Sequence, residues 1–292
     1  MADPAQPPLD RLTSLLERFR VRATLFHTGA LCGVQTFEAA PGRGYLHVLR
    51  NGDMELRDRV GQGAPRHLHL TEPTLLFYPG SVHHEFINPP DGNDFTCAAL
   101  DFDGGARNPI VQALPPAMLV PLREVPGLEP ALDLLFGEAD QVRCGSRLLA
   151  DRLFEVVLIQ LLRWIIDHPA QAGVDNGLVM GLSDARLARA LVALHREPGE
   201  DWTLERMAGI AGMSRSAFAA AFKQALGTTP AQYLSDWRLT LAASMLRAGK
   251  PAKLIAAELG FATQASLSKA FRQKMGASPR EWLAQAVAAR HA

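Results

Sequence analysis

The chain has 292 residues, 48% apolar and 21% charged, with no net charge. That length accommodates two full cores and that composition excludes a disordered chain. No apolar run is long enough to span a bilayer, and three cysteines in a chain of this size exclude a disulfide scaffold. The neutral total hides an asymmetry: residues 184–292 carry 15 Lys and Arg against 8 Asp and Glu, residues 1–183 carry 15 against 22, and every Lys lies in the C-terminal part. A basic segment beside an acidic one predicts phosphate binding by the first, with salt-sensitive affinity.

Residues 1–8 are Pro-rich and read as loose, and they lack the basic and apolar regions of an export signal, which predicts a cytoplasmic protein. Leu9 to Phe19 has helical apolar spacing and reads as a short amphipathic helix capping the domain that follows. From Ala23 to about Asp103 short β-like runs, broken by Gly, Pro, Asn and Asp, predict a β-barrel or jelly roll. One of them, Leu75 to Asn88, with Pro79 and Gly80 at its turn and His84 four residues before Asn88, resembles the second motif of the cupin family. Metal-dependent cupin enzymes use a His-x-His pair and a Glu from the first motif with a His from the second. Here Tyr45 stands where the first His would be, His47 is present, and no Glu follows it at three or four residues. The resemblance therefore implies a cupin-like fold that is not an enzyme.

Cys32 and Cys97 fall on or beside strands that can line the same barrel as His47 and His84. Three readings stay open for this set. Two thiolates and two imidazoles suit zinc or another divalent metal; the cysteines form a redox pair if their Cα atoms come within about 4.4–6.8 Å; or all four are core groups. His67, His69 and His83 read as solvated strand residues.

Residues 104–125 are Pro-rich and irregular. A helical section follows, whose main element, Ser146 to Asp167, has more apolar positions than one stripe needs. One face can pack on the barrel and the other serve a homodimer; burial of both within the chain is the alternative. Pro169 to Gly181 reads as a linker, and Leu182 to Glu197 as the first helix of a C-terminal domain.

That domain contains a pattern written twice. Shifting Thr203–Leu234 by 49 residues places Ala208 on Ala257, Phe218 on Leu267, Phe222 on Phe271, Gly227 on Gly276, Pro230 on Pro279 and Tyr233 on Trp282. Each copy reads as helix, tight turn, helix, with Ser214 or Thr263 capping the second helix. The second helices present Arg215, Ser216, Ala219 and Lys223 in one copy and Gln264, Ser266, Lys269 and Arg272 in the other, chemistry that suits bases and phosphates in the major groove of double-stranded DNA. Residues 184–288 resemble the AraC/XylS family of bacterial transcription regulators. The resemblance implies a helix over 231–248 joining two helix-turn-helix units, an N-terminal cupin-like sensing domain with cysteine-based oxidant sensing in one subgroup, and contact with RNA polymerase if the protein is an activator.

The expected fold is thus α+β: a cupin-like sensing domain over 1–125, a helical dimerisation section and linker over 126–181, and an all-α double helix-turn-helix domain over 182–292. The expected function is DNA-binding regulation by an effector, metal or redox state. A cupin enzyme tethered to DNA and a DNA-binding protein that senses nothing are the alternatives.

Overall fold

The computed structural model describes residues 9–40, 42–51, 53–59, 66–141 and 143–291, the last six as backbone only; the expectation for residues 1–8 lies outside them. The chain divides into two compact units, Phe19–Asp175 and a second that joins the segment ending at Arg18 to Asn176–Ala292. The helical section after residue 126 therefore belongs with the sheet, and the expected boundary at 181/182 moves to 175/176.

The N-terminal helix is a single turn, α1 (Thr13–Leu16), started by the Asp10 carboxylate, which accepts from the backbone N–H of Leu12 and Thr13 at 3.1 and 3.0 Å. It groups with the C-terminal unit instead of with the sheet it was expected to cap. It packs on the helix Ala185–Arg196, with Leu15 buried, Arg11 donating to the Leu182 carbonyl at 3.1 Å and Arg18 to the Arg196 carbonyl at 2.9 Å. The guanidinium groups find carbonyl acceptors in the C-terminal unit, a preference that apolar spacing alone does not encode.

The first unit is a curled antiparallel sheet, seven-stranded among the described residues: β1 (Val21–Phe37), β2 (Arg43–Leu49), β3 (Met54–Asp58), β4 (Arg66–Leu70), β5 (Thr74–Tyr78), β6 (His84–Phe102) and β7 (Met118–Pro121). The order is β4-β3-β6-β2-β5-β7, with β1 also on β6. β6 is the spine: its N-terminal half pairs with β3, its C-terminal half with β2, and β1 runs along it in a register interrupted between Leu31 and Gly33. Such interruptions increase twist and help a sheet to curl. Side chains on the inner face alternate, so Tyr45, His47 and Leu49 of β2 meet Cys97 and Phe95 of β6, and Leu49, Leu56, Leu76, Phe86, Phe95 and Cys97 form a buried cluster.

Helices α2 (Pro109–Ala113), α3 (Glu129–Asp140) and α4 (Ser146–Asp167) complete the unit, and α4 packs on α3 and β1. The inward side of α4 carries Leu153, Phe154, Val157, Leu161 and Ile165, each contributing about 1.5–3 kcal/mol of burial. Leu148, Leu149 and Val156 are exposed, at 62%, 44% and 42%. The second apolar face expected of this helix therefore exists over its first half only; Leu162, Trp164 and Ile166 are buried too.

The second unit is helical: α5 (Leu178–Ser183), α6 (Ala185–Arg196), α7 (Leu204–Ala211), α8 (Arg215–Leu226), α9 (Pro230–Arg247), α10 (Ala252–Glu258), α11 (Gln264–Met275) and α12 (Pro279–His291). The helix expected from Leu182 starts instead at Ala185, because Asp184 is its N-cap, accepting from Arg186 N and Leu187 N at 2.8 and 3.1 Å. α9 spans the expected connector, begins with Pro230 behind the Thr229 cap, and buries Leu234, Trp237, Leu241 and Leu246. Among the described residues no helix is long and apolar enough to cross a membrane.

Candidate nucleic-acid interface and buried histidine pair

The two helix pairs α7–α8 and α10–α11 are built alike. Gly212 closes α7 with φ 66°, and Gly260 follows α10 with φ 72°, a left-handed conformation that favours glycine. At Gly260 a Cβ would also stand 2.5 Å from the Gly199 carbonyl oxygen. Ser214 caps α8 by accepting from Ala217 N at 3.3 Å, while Thr263 and Ser266 form a reciprocal capping box on α11. The Phe218–Phe222 pair anchors α8; Leu267 and Phe271 anchor α11, where Phe271 meets Trp282 edge-on at 5.6 Å.

With those faces buried, Arg215, Ser216 and Lys223 of α8 and Gln264, Lys269 and Arg272 of α11 are exposed. Two further residues expected to contact DNA, Ala219 and Ser266, are half-buried and have neighbours within the chain. Ala219 is half-buried and lines an apolar groove of about 540 Å³ between α7, α8 and the start of α9, with Trp202, Leu204, Met207, Ala220 and Leu234 among its walls. The Ser266 hydroxyl accepts from Thr263 N at 3.1 Å and donates to Thr263 O at 2.7 Å, so its proton serves the cap and one acceptor lone pair is left.

A buried group that sequence reading missed lies in the last turn of α6. His195 is fully buried, 2.7 Å from the Tyr233 hydroxyl and against Trp237 at 4.1 Å between rings. Burial, reinforced by the Arg18 charge, pushes its pKa down to about 3. Its place one turn after Leu191 on an apolar face was the available signal.

In the sheet, His47 and His84 meet across the inner face. Both have no exposed surface, and their Nε2 atoms are 3.0 Å apart. His84 Nδ1 donates to the Val82 carbonyl at 3.0 Å, which leaves its Nε2 with a lone pair; His47 Nε2–H donates to it, and His47 Nδ1 has no hydrogen-bond partner among the described residues. Rings enclose the pair: Tyr78 stacks on His84 at 4.0 Å and Phe37 at 4.9 Å, while Phe86 stands edge-on to His47 at 4.9 Å. Burial, then the neighbouring His84 and His27, holds the His47 pKa well below its usual value; burial lowers that of His84 to about 4. Both imidazoles are neutral at physiological pH. Behind them Asp58, buried, takes both guanidinium arms of Arg66 at 2.8 and 2.6 Å and lies 3.4 Å from the Tyr78 hydroxyl.

The four-residue set expected here is only partly assembled. Cys97 is buried directly opposite His47 in the β2–β6 ladder, and burial drives its thiol pKa up. Cys32 is exposed on β1, five residues beyond His27, the β1 partner of Cys97. Five residues of strand rise, roughly 16 Å, separate the two cysteines along the sheet, well beyond the span of a disulfide. Among the described residues no group of three or more His, Cys, Asp or Glu is close enough to hold a metal ion, so the Cys32–Cys97–His47–His84 cage is corrected to a histidine pair with one cysteine beside it. The register that pairs His27 with Cys97 decided this, and it is invisible in residue order. His67 and His69 are exposed on β4, as expected.

The cupin family profile matches residues 10–167 and a helix-turn-helix domain profile matches residues 207–285. A putative AraC-like transcription regulator of Streptomyces antibioticus is 34% identical over 186 residues, 63% of this chain and 61% of its own length, so the match spans about three-fifths of that relative. An uncharacterized HTH-type transcriptional regulator of Haemophilus influenzae is 32% identical over 267 residues, 84% of this chain and 87% of its own. The RCS-specific HTH-type transcriptional activator RclR of Escherichia coli is 30% identical over 243 residues, 81% of this chain and 82% of its own.

Proposed function

The chain belongs to the AraC family of transcription regulators, with an N-terminal cupin and a C-terminal helix-turn-helix domain, and from that premise we propose that it is a cytoplasmic regulator whose operator affinity is set by what binds the His47–His84 pair. α8 and α11 bind successive major grooves of double-stranded DNA, about 34 Å apart. The exposed Leu148, Leu149 and Val156 of α4 form the contact with a second copy, and RNA polymerase is the further partner if the bound state activates.

The single observation that carries the sensing role is the facing of two neutral, fully buried imidazole nitrogens at 3.0 Å inside an aromatic wall. A protein core gains little from such a pair, since one lone pair of His47 stays unsatisfied. A soft divalent ion such as zinc would take two donors from the pair, His84 being oriented by the Val82 carbonyl as ligating histidines are by second partners; no third His, Cys, Asp or Glu of the described residues stands close enough to complete the site, so Cys97, opposite His47 in the ladder, would have to move onto the ion. Cys32 takes no part. When bound, the ion supplies charge and fixed geometry to an otherwise apolar interior. No turnover is expected, because Tyr45 replaces a ligand and no acidic residue joins the pair.

Oxidant sensing, which the family resemblance implies for one subgroup, is the second reading, favoured by the exposure of Cys32. It needs β1 to leave its register before Cys97 is reached. Elemental analysis of the full chain beside Cys32→Ser, Cys97→Ser and His84→Ala separates the readings. About one metal per chain is expected in the parent and Cys32→Ser, and none in the other two. Metal absent from every sample overturns the metal reading and leaves an oxidant or an aromatic organic effector.

A further inference from the structure

The two recognition helices occupy equivalent places, yet their outward faces carry different chemistry. With a 49-residue offset, Ala220 of α8 stands where Lys269 stands in α11, and Arg215 where Gln264 stands. Ala217 and Ala220 are exposed on α8. The hydroxyl of Ser216, the remaining neutral polar group in the first turn, lies 3.3 Å from that of Ser214, which serves as the cap. Between Arg215 and Lys223 no residue carries an amide or guanidinium, and the first amide on the Ala217–Ala220 face is Gln224, one turn beyond Ala220. The surface at Ala220 also continues into the 540 Å³ groove, whose walls are predominantly apolar. α11 instead exposes Gln264 at its first turn and Lys269 in its middle.

The major groove displays one apolar feature, the C5-methyl group of thymine. We propose that the first unit selects its half of the operator through thymine methyl groups packed on Ala217 and Ala220, with Arg215 and Lys223 holding phosphates, whereas the second unit reads hydrogen bonds through Gln264 and Lys269. This rests on the DNA-binding reading above and specifies it: the operator is chemically asymmetric, with one thymine-read half.

The test uses the full chain. An operator is selected from random duplexes, and each thymine is then replaced by deoxyuridine, which removes the methyl and leaves every hydrogen-bonding group in place. Loss of about four-fold in affinity per critical methyl is expected in one half-site, with less than two-fold change in the other. Ala220→Gln, at an exposed position, should abolish uracil sensitivity in that same half-site and shift its base preference. Uniform tolerance of uracil, with an operator nonetheless selected, overturns this proposal alone. Uracil sensitivity unmoved by Ala220→Gln overturns the residue assignment. Failure to select any operator overturns the DNA-binding reading itself.

Discussion

In the sheet unit the groups with chemistry face inward: His47, His84, Asp58 and Cys97 are buried and come from strands far apart in the chain. In the C-terminal unit the corresponding groups, Arg215, Lys223, Gln264 and Lys269, face outward on two short helices whose remaining faces are filled with Phe218, Phe222, Leu267 and Phe271. The difference follows from what each must meet. DNA is a large polyanion reached from the surface, where charge is cheap; in the sensing role proposed above, a small effector would be taken out of water by neutral donors in a dry interior.

Several substitutions break or sharpen this contrast. The largest effect belongs to the outward-facing unit's anchors: Phe271→Ala should destabilise it by about 3–5 kcal/mol, seen as an early transition in thermal unfolding and loss of DNA binding, because α11 is held chiefly by this ring and Leu267. In the inward-facing unit His84→Ala should cost about 3 kcal/mol, since it opens a hole among stacked rings and strips His47 of its partner; calorimetry should show the sheet unit affected while operator affinity of the uninduced protein persists. Equal loss in both measurements would show that the units are not separable.

Smaller effects probe the surface. Gln264→Ala should cost about 1–3 kcal/mol at one base pair and relax preference there, read by gel shift on single-base operator variants. Acid offers a mutation-free test of His195, buried and neutral in the folded unit with a pKa near 3. Its native pKa lies below the unfolded value of 6.5, so its contribution is complete above pH 6.5 and is lost as pH falls from there toward 3, at up to about 1.4 kcal/mol per pH unit. Denaturant melts of the parent and of His195→Gln between pH 7 and 4.5 should differ in slope. The smallest change is Ser266→Ala, expected to cost about 1 kcal/mol of helix stability and leave base preference unchanged; altered preference would restore Ser266 as a base contact.

The cap residues Ser214 and Thr263, the tight turn inside each helix pair and the 49-residue repeat were all legible in residue order, because helices and their ends are set by neighbours within a few positions. So were the presence of the sheet, most of its strand positions and the extent of α4. The contacts that Ala219 and Ser266 make within the chain were not: one depends on where α9 crosses α8, the other on which of two local partners a hydroxyl takes.

By itself, then, the sequence determined the family, the two kinds of unit, and most of the outward-facing residues of α8 and α11, since amphipathic period and turn chemistry are local. Tertiary structure alone decided that α1 packs with the C-terminal unit, that β6 takes three partners, and that His47 meets His84 while Cys32 stands apart from Cys97. Those outcomes depend on strand register between distant segments, where a bulge or a shift of a few residues relocates every side chain beyond it, and no local pattern records that choice.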